Sequence, residues 1–174
     1  VYQRLSELEA AFGKNIAEAD GSLELLESDL SGLPRDYIDG LSRTKEGKYK
    51  VTLQYPDYVP FMQMANRPDL RRDLQRLYNT RAADNNIPLL VEALKLRAES
   101  ARLLGAASYP DERLKFSMAG NVQKVWDFLN KLWPLLRQKG QKELDALLAR
   151  KKVEEPSAAR LEAWDAAYYG HKLL

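Results

Sequence analysis

Cysteine is absent from the 174 residues, which excludes disulfides and thiolate metal sites and fits a reducing compartment such as the cytoplasm. Histidine is nearly absent. With His171 alone, neither a His-Glu-x-x-His zinc helix nor a histidine-dependent triad can be assembled, so no catalytic or metal residue is expected in this chain. The acidic pairs Asp111-Glu112 and Glu154-Glu155 do not replace it, because adjacent residues on a helix point apart. No apolar run approaches a membrane span, no signal-peptide pattern is present and no fixed-period repeat appears. The chain opens at Val1 without methionine and stops at Leu174 without a capping glycine or proline. Both ends lie inside helical patterns, and together they favour a piece of a longer protein.

What is present is ordinary for a globular domain: 45% apolar and 30% charged residues, long enough to bury a core. The net charge of +2 is unevenly spread, because residues 1–40 hold three basic and nine acidic groups. That leaves a basic body behind an acidic arm. Arg67, Arg71, Arg72, Arg76 and Arg81 do not make a nucleic-acid stripe, since they spread around a helix interrupted by Asp69 and Asp73. Solvated faces and ion pairs account for them better.

The fold class read from periodicity is mainly α, a multi-helix lobe with one short β element near residues 48–55. Leu5, Leu8, Phe12 and Ile16 mark an amphipathic first helix, and a short helix is expected over Arg35–Leu41. From Lys48 to Tyr55 polar and apolar residues alternate, placing Tyr49, Val51, Leu53 and Tyr55 on one face of a strand closed by Pro56. Such a strand needs a partner, either a weaker strand within residues 20–30, for which Ser22–Leu26 is the candidate, or one outside this chain. Residues 1–46 thus read as a helix with an irregular segment, and 47–174 as a strand followed by helices. A short helix is expected over Tyr58–Asn66, and Pro68 opens another. Asn85 or Asn86 is the expected cap of a long helix stopped by Gly105, and Ser108–Asp111 resembles a capping box. Asn121 starts a further long helix in which Pro134 should produce a kink. The last helix is expected to begin at Glu154–Ser157.

Trp126 and Trp133, seven residues apart, are expected to fill an interhelix core. Arg97, between Ala93 and Ala101, should put a guanidinium near a packed face, where it would need a carboxylate. Asp165 reads as an interhelix anchor or as part of a substrate-contacting wall beside Tyr168 and Tyr169. The final helix, with Leu161, Trp164, Tyr168 and Leu173-Leu174, is where uncovered apolar surface is expected. Such a surface could make a homodimer.

Six segments in order carry a resemblance: Leu30–Pro34, Val51–Met62, Leu77–Arg81, Asn86–Leu90, Leu96–Gly105 and Trp164–Tyr169. Together they resemble the N-terminal region of the thimet oligopeptidase, oligopeptidase A and peptidyl-dipeptidase group of zinc peptidases. The resemblance implies a mostly helical, two-lobed enzyme whose channel admits short peptides, with zinc and catalytic residues outside these 174 residues. It assigns no catalytic or metal residue to this chain and makes Tyr168 and Tyr169 channel-wall candidates. The implied partners are short peptides and the missing catalytic lobe, with no nucleic acid or membrane. A free-standing helical interaction module is the alternative.

Overall fold

Tyr49–Thr52 (β3) is the centre of a three-stranded antiparallel sheet, flanked by Ser22–Leu25 (β1) and the two-residue Ser42–Arg43 (β2). The computed structural model describes residues 1–174. The expected partner strand is the one found, with Leu23 opposite Val51 and Leu25 opposite Tyr49. The second partner, β2, is an addition to the single β element expected. Tyr55 does not continue the strand. It opens helix α3 and is 70% exposed. Pro56, with fixed φ and no N–H to satisfy, suits a first helical turn, and Asp57 accepts the Thr52 N–H at 3.0 Å where the strand ends.

The chain forms two compact units, each assembled from separated stretches: residues 1–19 with 82–140, and 20–81 with 141–174. Neither coincides with a division at residue 46, because β1 and β3 are hydrogen-bonded across that point.

In the first unit α1 (Tyr2–Ala17) lies along α5 (Ala83–Leu103). Asn86 does not cap α5, which begins earlier, after Ala82 in the left-handed region. Its buried side chain instead joins the two helices, donating to Phe12 O at 3.2 Å and accepting from Asn15 Nδ2 at 2.9 Å. A long-range pair of bonds therefore replaces the local one. Gly105 follows α5 with φ of +65°, and Ser108 Oγ accepts the Asp111 N–H ahead of α6 (Tyr109–Leu114), both as expected. Asn121 Oδ1 accepts the Lys124 N–H at the start of α7 (Val122–Glu154), which runs through Pro134 without a break. Arg97 is exposed, not buried, and its guanidinium reaches outward over the Tyr109 ring at 5.4 Å. The tryptophan expectation fails as well: Trp126 is 54% and Trp133 63% exposed, because their face of α7 stands open.

The second unit holds the main core. Tyr49, Val51 and Leu25 from the sheet meet Ile38 of α2 (Arg35–Gly40), Phe61 and Met62 of α3 (Tyr55–Met64), and Leu74 of α4 (Pro68–Thr80). Glu154–Ser157 does not start a helix. It ends α7, since the residue before Pro156 is steered away from helical geometry. A 3₁₀ turn at Ala163–Asp165 and α8 (Ala166–His171) follow. α8 packs on α3 and the 3₁₀ turn on α4, so Tyr168 is buried and Trp164 half-buried against the core. Truncations should separate the two aromatic environments. Phe61→Ala should cost about 3–5 kcal/mol in denaturant melts. Trp126→Ala should cost less than about 1 kcal/mol, as exposed substitutions do.

Candidate functional site

The charge buried on an apolar helix face belongs to α4 and not to α5. Arg71 precedes Leu74 by three residues and Tyr78 by seven, so it shares their inward face and is 1% exposed. A guanidinium removed from water needs its donors filled. Nη2 donates to Asp165 Oδ1 at 2.9 Å, Nη1 to Ala65 O at 2.7 Å and Asn66 O at 3.3 Å, and Nε to Trp164 O at 3.2 Å. Its face lies 4.0 Å over the Tyr168 ring. The reasoning applied to Arg97 would have found Arg71, had the Leu74 and Tyr78 spacing been taken as the apolar stripe.

Asp165 is wholly buried and bonded on both oxygens. Oδ1 accepts from Arg71, while Oδ2 accepts from Lys151 Nζ at 2.6 Å and from the Glu162 N–H at 3.1 Å. One carboxylate thus joins α4, the C-terminal part of α7 and the 3₁₀ turn, which makes it an interhelix anchor.

The acceptor carbonyls for Arg71 sit on a sharp turn. Ser31 O accepts the Asn66 N–H at 2.9 Å, and Gly32, with φ of +91°, lies against Met64 O and the Asn66 side chain. A Cβ at Gly32 would collide with both, so glycine is required for that close approach.

Tyr168 and Tyr169 are both buried and packed edge to face at 5.0 Å. The Tyr168 hydroxyl donates to Asn66 Oδ1 at 2.9 Å, and that of Tyr169 to Glu155 Oε1 at 3.4 Å. Burial, and then the nearby carboxylates Glu155, Glu154 and Asp165, push the Tyr169 phenol well above its ordinary pKa. His171 is exposed at the end of α8.

Comparison with known proteins decides what this arrangement belongs to. The model of peptidase family M3 matches residues 61–174. The chain belongs to peptidase family M3. Among its relatives, oligopeptidase A of Salmonella typhimurium is 38% identical over 184 residues, covering 97% of this chain and 27% of that protein. Oligopeptidase A of Escherichia coli is 36% identical with the same coverage, and saccharolysin of Saccharomyces cerevisiae is 31% identical over 94% of the chain and 24% of the protein. The chain therefore spans about a quarter of the length of these M3 relatives. The zinc implied by the family resemblance does not fit the residues present. No group of three or more histidines, cysteines or carboxylates is placed to hold an ion, and Asp165 is already engaged on both oxygens.

Two measurements test the cluster. Asp165→Ala leaves the buried Arg71 guanidinium without a carboxylate and Lys151 with only the longer Glu155 pair at 3.7 Å, and should cost about 3–5 kcal/mol in denaturant melts. The second is a pH profile. A phenol whose pKa is higher folded than unfolded supports the fold while it keeps its proton in both states. As pH rises past about 10 the unfolded chain ionises first and that support is lost. Stability should therefore fall above about pH 10, and less steeply in Tyr169→Phe.

Proposed function

We propose that this chain is the N-terminal lobe of a zinc-dependent oligopeptidase that hydrolyses short peptides, and that it walls the substrate channel without taking part in bond cleavage. The observation that carries the reading is similarity to oligopeptidase A over 97% of the chain, in a stretch that assembles no metal-binding group. The relatives are named for activity on oligopeptides; here that activity would require the zinc-bearing remainder of the polypeptide.

Within such a wall the Trp164–Tyr169 segment leads toward the catalytic part. Tyr168 and Tyr169 would act from behind the channel surface, through the packing that holds this segment to α3 and α4. The partners are then short peptides and the catalytic lobe. A reducing compartment, the cytoplasm first, suits the cysteine-free chain. Relatives from Arabidopsis thaliana carry both cytosolic and organellar names, and no helix here is long and apolar enough to cross a membrane.

Reading the coding sequence beyond Leu174 tests the proposal directly. A His-Glu-x-x-His motif in the same open frame is expected, and a stop codon at that point would instead favour a free-standing interaction module. The 174-residue chain alone should bind no stoichiometric zinc and cleave no peptide. The complete product should cleave short peptides in a chelator-sensitive manner. Metal analysis giving one zinc per isolated chain would contradict the assignment.

A further inference from the structure

The first half of α7 is more apolar than a surface helix needs to be. At about 100° per residue, Trp126, Phe128, Leu129, Trp133, Leu135 and Leu136 span roughly 180° of its circumference. A helix bordering a single core needs an apolar stripe of only about 100° or somewhat more. These six residues are nonetheless between 42% and 67% exposed. An apolar surface of this kind is rare on a monomeric soluble protein, and it marks a contact.

Two observations indicate what covers it. The M3 relatives are about four times the length matched here, so most of their polypeptide remains to be placed against the part that this chain represents. The rims of the face are also basic: Lys124 and Lys131 lie along one edge and Arg137 along the other, with Asp127 on the opposite side of the helix. A second copy would set these cations against themselves, whereas an apolar surface with acidic margins would complement them.

We infer that the Val122–Leu136 face of α7 is the seat of the remaining polypeptide of the M3 enzyme, which meets it with an apolar strip bordered by carboxylates. The inference rests on the lobe reading and adds the surface through which the lobe is held. It adds an uncovered surface on α7 to that of the final helix, where Tyr168 is buried but Leu173 and Leu174 stay exposed.

Oxidative footprinting read by mass spectrometry compares the 174-residue chain with the complete product of its reading frame. Trp126, Phe128 and Trp133 should be modified readily in the 174-residue chain and at least tenfold more slowly in the complete product. Equal modification in both, with the complete product cleaving peptides, overturns the inference and leaves the lobe reading standing. A reading frame that closes at Leu174 removes both. Protection in the 174-residue chain that grows with concentration, alongside a doubled mass in light scattering, assigns the face to a second copy and also overturns it. Leu129→Glu supplies an independent measurement. It should leave the Tm of the 174-residue chain within about 1 °C, and lower that of the complete product by clearly more. An equal shift in both proteins would show that the face is covered within this chain, against the inference.

Discussion

Asp165 accepts hydrogen bonds from Arg71 and Lys151 in a place where water reaches none of the three freely, and the second unit is organised around that fact. Two cations meet at one buried carboxylate, with Glu155 a second partner of Lys151 at 3.7 Å, and the remaining Arg71 donors are filled by the Ala65, Asn66 and Trp164 carbonyls beneath the Tyr168 ring. Each of those acceptors must be held in position. Gly32 permits the tight approach that presents Ala65 and Asn66, and the 3₁₀ turn sets the Trp164 carbonyl opposite α4. A buried ion pair is not by itself strong evidence for stability. Its value here is geometric, since few alternative packings would satisfy so many donors at once.

The hydrophobic core and the charged cluster divide the work in that unit. Val51, Phe61 and Leu74 supply non-directional burial, which would tolerate some sliding of helices over the sheet. The Arg71 fork and the Tyr168–Asn66 bond are directional and fix which turn of α4 faces which turn of the C-terminal segment. The first unit has a lighter version of the same device. Asn86 bridges to Asn15 and Phe12, and Arg4 pairs with Glu92 through two bonds at 2.7 and 3.0 Å on the exposed side.

Local chemistry was legible wherever a side chain acts on its own neighbours. The Ser108 cap, the Gly105 stop, the first-turn Pro68 and the alternation of Tyr49 and Val51 were all readable, and Ser22–Leu26 could be picked out as a candidate strand partner, though not chosen over one outside the chain. Legibility failed where the partner is distant. Asn86 looked like a cap because an asparagine ahead of an apolar stripe usually is one, yet its acceptor lies on α1. Arg71 looked like one of several solvated arginines, because nothing local announces an aspartate 94 positions later. Trp126 and Trp133 looked like core because their spacing is that of a buried seam. Spacing reports that a face is apolar, and the element that covers it has to be found elsewhere. For the site, the sequence left Asp165 as an anchor or a channel-wall residue with Tyr168 and Tyr169 beside it, without showing that both rings turn inward.

The interleaving of the two units has a consequence for how the chain is made. A ribosome delivers Arg71 long before Asp165, and the whole 82–140 portion of the first unit emerges in between. At about 5–20 residues per second, the sheet half waits roughly 5–20 s for the carboxylate that compensates its buried cation. Over that interval α1 and α5 can already pair, since both have left the ribosome, while the surface awaiting the C-terminal segment stays uncovered. The nascent protein therefore passes through a state with one unit closed and the other open. That is the stage at which transiently exposed apolar surface is most open to aggregation and to chaperones.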